Sequence, residues 1–129
     1  MTEQRIRSEA GQAIIEMALI MPLLLLLILG MLEFGWLLNG QLTVTASARE
    51  AARTAVLYDS AGRAADAARI AAERFSVGSG LSKVQTTTQF SGTQAKIRVE
   101  AEFNPLIGLF VSDQTRLEAS AEMRLENRR

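Results

Sequence analysis

The chain has 129 residues, no Cys, no His, and fourteen Lys and Arg against fourteen Asp and Glu. That length suits about one small domain. The missing thiol and imidazole remove nucleophilic Cys chemistry, the commonest general base, disulfides and nearly every zinc or iron site. The charge balance offers no basic surplus to draw nucleic acid or an anionic surface, so no nucleic-acid partner is expected. A chain without Cys folds alike in oxidising and reducing compartments, and its thiol content says nothing of location.

The first feature along the chain is a polar leader, Met1 to Ala10, ending at Gly11. Apolar character then runs from Ala13 to Leu38, interrupted by Glu16, Glu33 and Gly35, with no charge between Met17 and Leu32. Ala13 to Leu32 is twenty residues, and at about 1.5 Å per residue such a helix covers the roughly 30 Å hydrocarbon core of a bilayer. Leu23 to Leu29 is greasy on every face, whereas a helix on a water-soluble core shows an apolar stripe. Two other readings compete with a membrane span. A buried core helix needs more chain around it than this sequence has. A cleaved secretory signal finds a small-x-small pattern at Ala46-Ser47-Ala48, but that lies well beyond Leu32, and the amino flank offsets Arg5 and Arg7 with Glu3 and Glu9. Arg49 and Arg53 after the span balance Arg5 and Arg7 before it, so positive charge alone leaves the orientation a tie.

Glu16 is the one acid between Gly11 and the uninterrupted apolar run. A carboxylate near the centre of a membrane helix costs about 2.5–3.5 kcal/mol on insertion scales, less towards the end, and such residues tend to mark a partner or a function. Were the chain cut after Gly11, Gln12 would carry a new α-ammonium one helical turn from Glu16. In a staggered bundle of identical helices the ammonium of one could neutralise the carboxylate of the next, making Glu16 a register device. The plainer reading is an interfacial acid in a first helical turn, favoured by the helix dipole. Pro22 within the span removes the amide bond to the Ala18 carbonyl and is expected to kink or loosen that turn. Gly30 and Gly35 leave room for close helix approach, without a clean small-xxx-small pair.

The helix is expected to continue from Trp36 to about Tyr58, with Leu38, Leu42, Thr45, Ala48, Ala52 and Ala55 as its stripe and Trp36 at the membrane–water interface. Asp59-Ser60-Ala61-Gly62 reads as a turn, and Arg63 to Phe75 as a second helix with Ala64, Ala67, Ala68, Ala71 and Phe75 on its packing face. Ser76 to Ser82 reads as a loop, after which the period changes to two. Val84 to Phe90, Lys96 to Phe103 and Arg116 to Glu126 alternate apolar and polar side chains as strands with one wet face do, and Ser91-Gly92 turns the first into the second. The fold class expected is therefore α+β: a long amino-terminal transmembrane helix running into a small domain with a second helix and a three-stranded antiparallel sheet, the helices covering the sheet's apolar face. Asn104-Pro105 ends a strand, and the apolar connection Leu106 to Val111 is read most simply as a loop folded onto the core, with an exposed docking patch as the alternative.

No catalytic constellation stands out. Glu100 with Glu102, and Glu118 with Glu122, fall on the wet sides of strands among Lys and Arg, where cross-strand ion pairing accounts for them. Asp59 and Asp66 do not make a calcium loop, and Gly78-x-Gly80 follows a helix and precedes a strand, the reverse of a phosphate cradle. Enzyme activity, a catalytic or metal site, and a cofactor are not expected.

Taken in order, Gly11-Gln12-Ala13-Ile14-Ile15-Glu16, Met21-Pro22-Leu23-Leu24-Leu25-Leu26, Glu33-Phe34-Gly35 and Ala48-Arg49-Glu50-Ala51-Ala52-Arg53 resemble the TadE-like family of tight-adherence pilus assembly proteins, and the first block resembles a type IV prepilin processing signal. The resemblance implies a pilin-like fold and a minor pilin or pseudopilin that supports pilus biogenesis and surface adherence. Its implied partners are a prepilin peptidase, other pilins and minor pilins, an inner-membrane assembly platform and the lipid bilayer. It makes Gly11 the residue before the scissile bond, Gln12 the new amino terminus and Glu16 the acid at the fifth mature position. It divides the chain into a cytoplasmic leader at 1–11, a transmembrane helix at 12–38 and an extracytoplasmic domain at 39–129, anchored in the cytoplasmic membrane. Met17 stands where the major pilins of this system carry Tyr, and the chain is longer than they are, which points to an accessory subunit. The competing reading is an unprocessed single-pass protein whose outer domain binds a ligand or acts as an adaptor.

Overall fold

The computed structural model describes residues 2–58, 60–111 and 115–124, with side chains from Gly11 onward. The leader's charged side chains, Asp59 of the expected turn, and Leu125 and Glu126 of the expected third strand lie outside the described residues. Two helices and three strands follow one another: α1 (Thr2–Ala55), α2 (Ala61–Ser76), β1 (Leu81–Ser91), β2 (Gln94–Phe103) and β3 (Arg116–Arg124). This is the α+β arrangement expected. The chain divides into two units between Leu32 and Glu33.

The first unit is helical throughout its described length. α1 runs through Pro22 without interruption, and every residue from Gly11 to Ile28 is exposed. Among the described residues this is one helix long and apolar enough to cross a membrane. Fully burying a Leu or Ile is worth about 1.5–3 kcal/mol relative to leaving it in water. An all-exposed run of such residues is therefore stable in a medium that is itself apolar.

The second unit has a conventional interior. Its sheet is antiparallel in the order β1-β2-β3, with β2 in the centre burying Ala95, Ile97, Val99, Ala101 and Phe103. β1 joins β2 by the two-residue loop Gly92-Thr93, where Gly92 takes φ 57°, a left-handed conformation that Gly adopts without steric penalty. The β1–β2 register shifts between Ser82 and Gln85, so that Lys83 and Val84 lie opposite Ala101. β1 also starts earlier than its alternation suggested, at Leu81. On the wet face the carboxylates find cross-strand cations: Lys83–Glu102 at 2.8 Å, Lys96–Glu122 at 2.9 Å and Arg116–Glu100 at 3.9 Å.

The helical cover buries the alanines expected of it, Ala48, Ala52 and Ala55 on α1 and Ala64 and Ala68 on α2, but not the bulkier residues of the same stripes. From Gly40 on, the buried positions of α1 are Gly40, Val44, Ser47, Ala48, Ala51, Ala52 and Ala55, whereas Leu38 and Leu42 are 64% and 70% exposed. On α2 they are Ala64, Ala68, Ala72 and Ser76, while Phe75 is half exposed. Small side chains line both inner faces, and at Gly40 even a Cβ would be crowded. A Cβ at Gly40 would lie 3.1 Å from Leu117 Cδ1 and from Phe103 Cδ2, tighter than ordinary van der Waals contact. The buried hydroxyls of Ser47 and Ser76 each donate to the carbonyl four residues earlier, at 2.8 Å, and approach each other at 3.5 Å.

Candidate assembly and membrane-anchoring site

The sequence-singled residues Gly11, Gln12, Glu16 and Pro22 all fall on the first unit's helix, exposed. Gln12 and Glu16 are four residues apart and share a face, and the Gln12 side-chain amide donates to Glu16 Oε1 at 3.3 Å. The side chain of residue 12 and the carboxylate of residue 16 thus meet across one helical turn. A Cβ built at Gly11 meets nothing within 4 Å, so no neighbour in the fold demands glycine there. Pro22 belongs to an open apolar surface with Ile14, Met17, Ala18, Met21 and Leu25. One apolar amino-terminal helix of this length is compatible with a single-pass membrane anchor.

The second unit holds a feature that the sequence reading did not find. Glu33, the residue directly after the apolar run, is completely buried. Its two carboxylate oxygens accept hydrogen bonds from the backbone N–H groups of Gly108, at 2.7 Å, and Phe110, at 2.9 Å. Both bonds are at or below the usual N–H···O distance of about 2.9–3.0 Å. They fasten the connection between β2 and β3 to the helix at this position. One helical turn on, the Trp36 indole donates to the Asn104 carbonyl at 3.2 Å and packs on Gly80, where φ is +73° and a Cβ would lie 2.7 Å from Trp36 Nε1. Asn104 in turn donates its amide to the Gly80 carbonyl at 2.9 Å. Trp36 is thereby engaged within the domain.

The connection is not folded away, contrary to the simpler sequence reading. Leu106, Ile107, Leu109 and Phe110 are 61%, 40%, 57% and 48% exposed, while Val111 packs against the core. The Phe110 ring stacks on Phe34, with centroids 6.3 Å apart and planes at 27°. Glu33 holds the loop by two of its amides, and the apolar side chains on either side of those amides stay outside. A signal was present in the sequence: an acid at the end of an apolar run, and far downstream an apolar connection with no strand to satisfy its amides. Nothing in sequence spacing joins the two across 75 residues.

A family model described as TadE-like protein matches residues 11–53, about a third of the chain. No curated protein and no solved structure matches it. The matched stretch begins at Gly11, spans the exposed apolar helix, includes Glu33 and ends on the Ala-rich inner face of α1. Over residues 11–53 the chain is therefore similar to TadE-like proteins, the stretch in which its sequence blocks lie.

Proposed function

We propose that this protein is a minor pilin or pseudopilin of a tight-adherence pilus, a structural and assembly component rather than an enzyme. A prepilin peptidase removes residues 1–11, and the mature chain is held in the cytoplasmic membrane with its sheet domain outside the cytoplasm. The observation that carries the reading is the arrangement at the head of the apolar helix. Gly11 is open, Gln12 follows, and Glu16 lies one turn on, the one acid between Gly11 and a run of exposed apolar residues. After cleavage the α-ammonium of Gln12 and the carboxylate of Glu16 carry opposite charges within reach of a neighbouring subunit's helix, where each compensates the other in a medium of low dielectric. Other pilins and the inner-membrane assembly platform are then the partners of this helix. Leu38 and Leu42, exposed on α1 beyond the apolar run, offer further apolar surface for helix packing.

The test is mass spectrometry of the amino terminus in cells that build these pili. The expected product begins at Gln12. A polypeptide that retains Met1 rejects the reading in favour of an unprocessed, membrane-tethered binding module.

A further inference from the structure

We propose that the Leu106–Val111 connection is a membrane-dipping loop. It lies in the headgroup–acyl boundary of the leaflet where the apolar helix ends, and Glu33 is the residue that sets its depth. The inference rests on reading the run that ends at Leu32 as a bilayer span. Three observations support it.

The first is position. Glu33 immediately follows Leu32, and its carboxylate binds Gly108 and Phe110 directly, while Phe34 stacks on Phe110. The loop is therefore tied, within the second unit, to the residue that directly follows the apolar run in the chain. The second is chemistry. From Pro105 to Val111 there is no charged or polar side chain, and four neighbouring apolar residues are substantially exposed together with Phe34, at 53%. In water such a patch is unfavourable by about 25 cal/mol for each Å² of apolar surface. In the boundary region the same surface is stabilising, as it is for peripheral segments that bury an apolar face there.

The third is the backbone. Irregular chain is tolerated at membrane depth only where its N–H and C=O groups have partners, because hydrocarbon supplies none. Both Glu33 oxygens accept from loop amides, and the side chain is buried. An acid at the membrane edge would ordinarily be a liability. Here its two oxygens satisfy two of the loop's amides, Gly108 and Phe110, which removes part of the cost of placing this backbone at the membrane boundary. The lipid surface is favoured over a protein occupant because the patch is bonded to the first residue after the apolar run and carries no charge to specify a partner.

The full chain in phosphatidylcholine–phosphatidylglycerol vesicles tests this. It contains no Cys, so single substitutions accept one environment-sensitive fluorophore each: Leu109→Cys, Leu106→Cys, Leu24→Cys within the span, and Thr93→Cys at the β1–β2 turn. Both loop probes and the span probe are expected to be quenched by nitroxide-bearing lipids, and the Thr93 probe by aqueous iodide. Iodide quenching in the loop should be severalfold weaker than at Thr93. A span probe in lipid with loop probes open to iodide overturns the loop proposal and leaves the anchor standing. Loop probes shielded from both quenchers overturn it in favour of a protein cover. A span probe open to iodide removes the anchor reading and the loop with it. Glu33→Gln retains one acceptor oxygen and the side-chain shape. It should raise iodide access at Leu109 severalfold without altering the Leu24 probe, and an unchanged Leu109 probe would strip Glu33 of its part in setting depth.

Discussion

The two units invert each other's burial. Before Glu33 the greasiest side chains face outward: Leu23 is 67% exposed and Leu19 75%. After it, an acid is sealed inside and the helical lining is largely alanine. The contrast shows that exposure follows the medium and the available partners rather than a residue's hydrophobicity alone. Leucines without protein neighbours suit a surrounding of hydrocarbon, as in a membrane span. A carboxylate can be interior when two N–H donors point at it. Leu38 and Leu42 lie just past the boundary and stay outside, because the helix–sheet contact is set by Gly40 and the alanines and has no room for them.

Five changes would break or sharpen that contrast, beginning with the largest. Gly11→Ala is expected to abolish removal of residues 1–11, read as a mature mass that retains the leader. The position is sterically open, so a folding defect is not the explanation. Glu16→Ala should leave insertion and cleavage intact but nearly eliminate assembled pili counted by electron microscopy, and normal numbers would remove Glu16 from the mechanism. Glu33→Ala removes both bonds to the loop and should destabilise the second unit by about 2–3 kcal/mol. The midpoint of thermal unfolding in detergent would fall, with faster hydrogen exchange at the Gly108 and Phe110 amides, while the helical signal of residues 11–32 persists. Gly40→Val forces bulk between α1 and the side chains of Phe103 and Leu117. Overpacking of that kind costs about 1–3 kcal/mol, read in the same unfolding experiment. Lys96→Ala deletes an exposed cross-strand pair and should change stability by less than about 1 kcal/mol; a larger loss would mean that the wet face of the sheet contributes more than its exposure suggests.

Much of this was legible before the structure. Length and continuous apolarity marked the span, and strict alternation marked β2 and β3, because both signals are local and repeat along the chain. The inner faces of the helices were less legible. Leu38, Leu42 and Phe75 looked like core by bulk, but the inner faces are lined by small side chains and crowded at Gly40, a closeness that no single helix displays. Glu33 was visible as a residue and as part of a resemblance, yet its partners lie 75 and 77 positions away, and only the folded chain pairs them. The shift at Lys83, with φ 50°, follows from register between strands and leaves no mark in alternation within one.

A three-stranded sheet has two margins, and one of them here is interrupted. The extra residue at Lys83 bends the rim of β1 and sets a cation beside it, tied to Glu102. Bulges and lysines of this kind make a strand rim a poor template for a neighbour's backbone. Copies of the domain crowded side by side are therefore discouraged from zippering along β1 into a fibril of the wrong sort, and contact by way of their helices is left as the easier course.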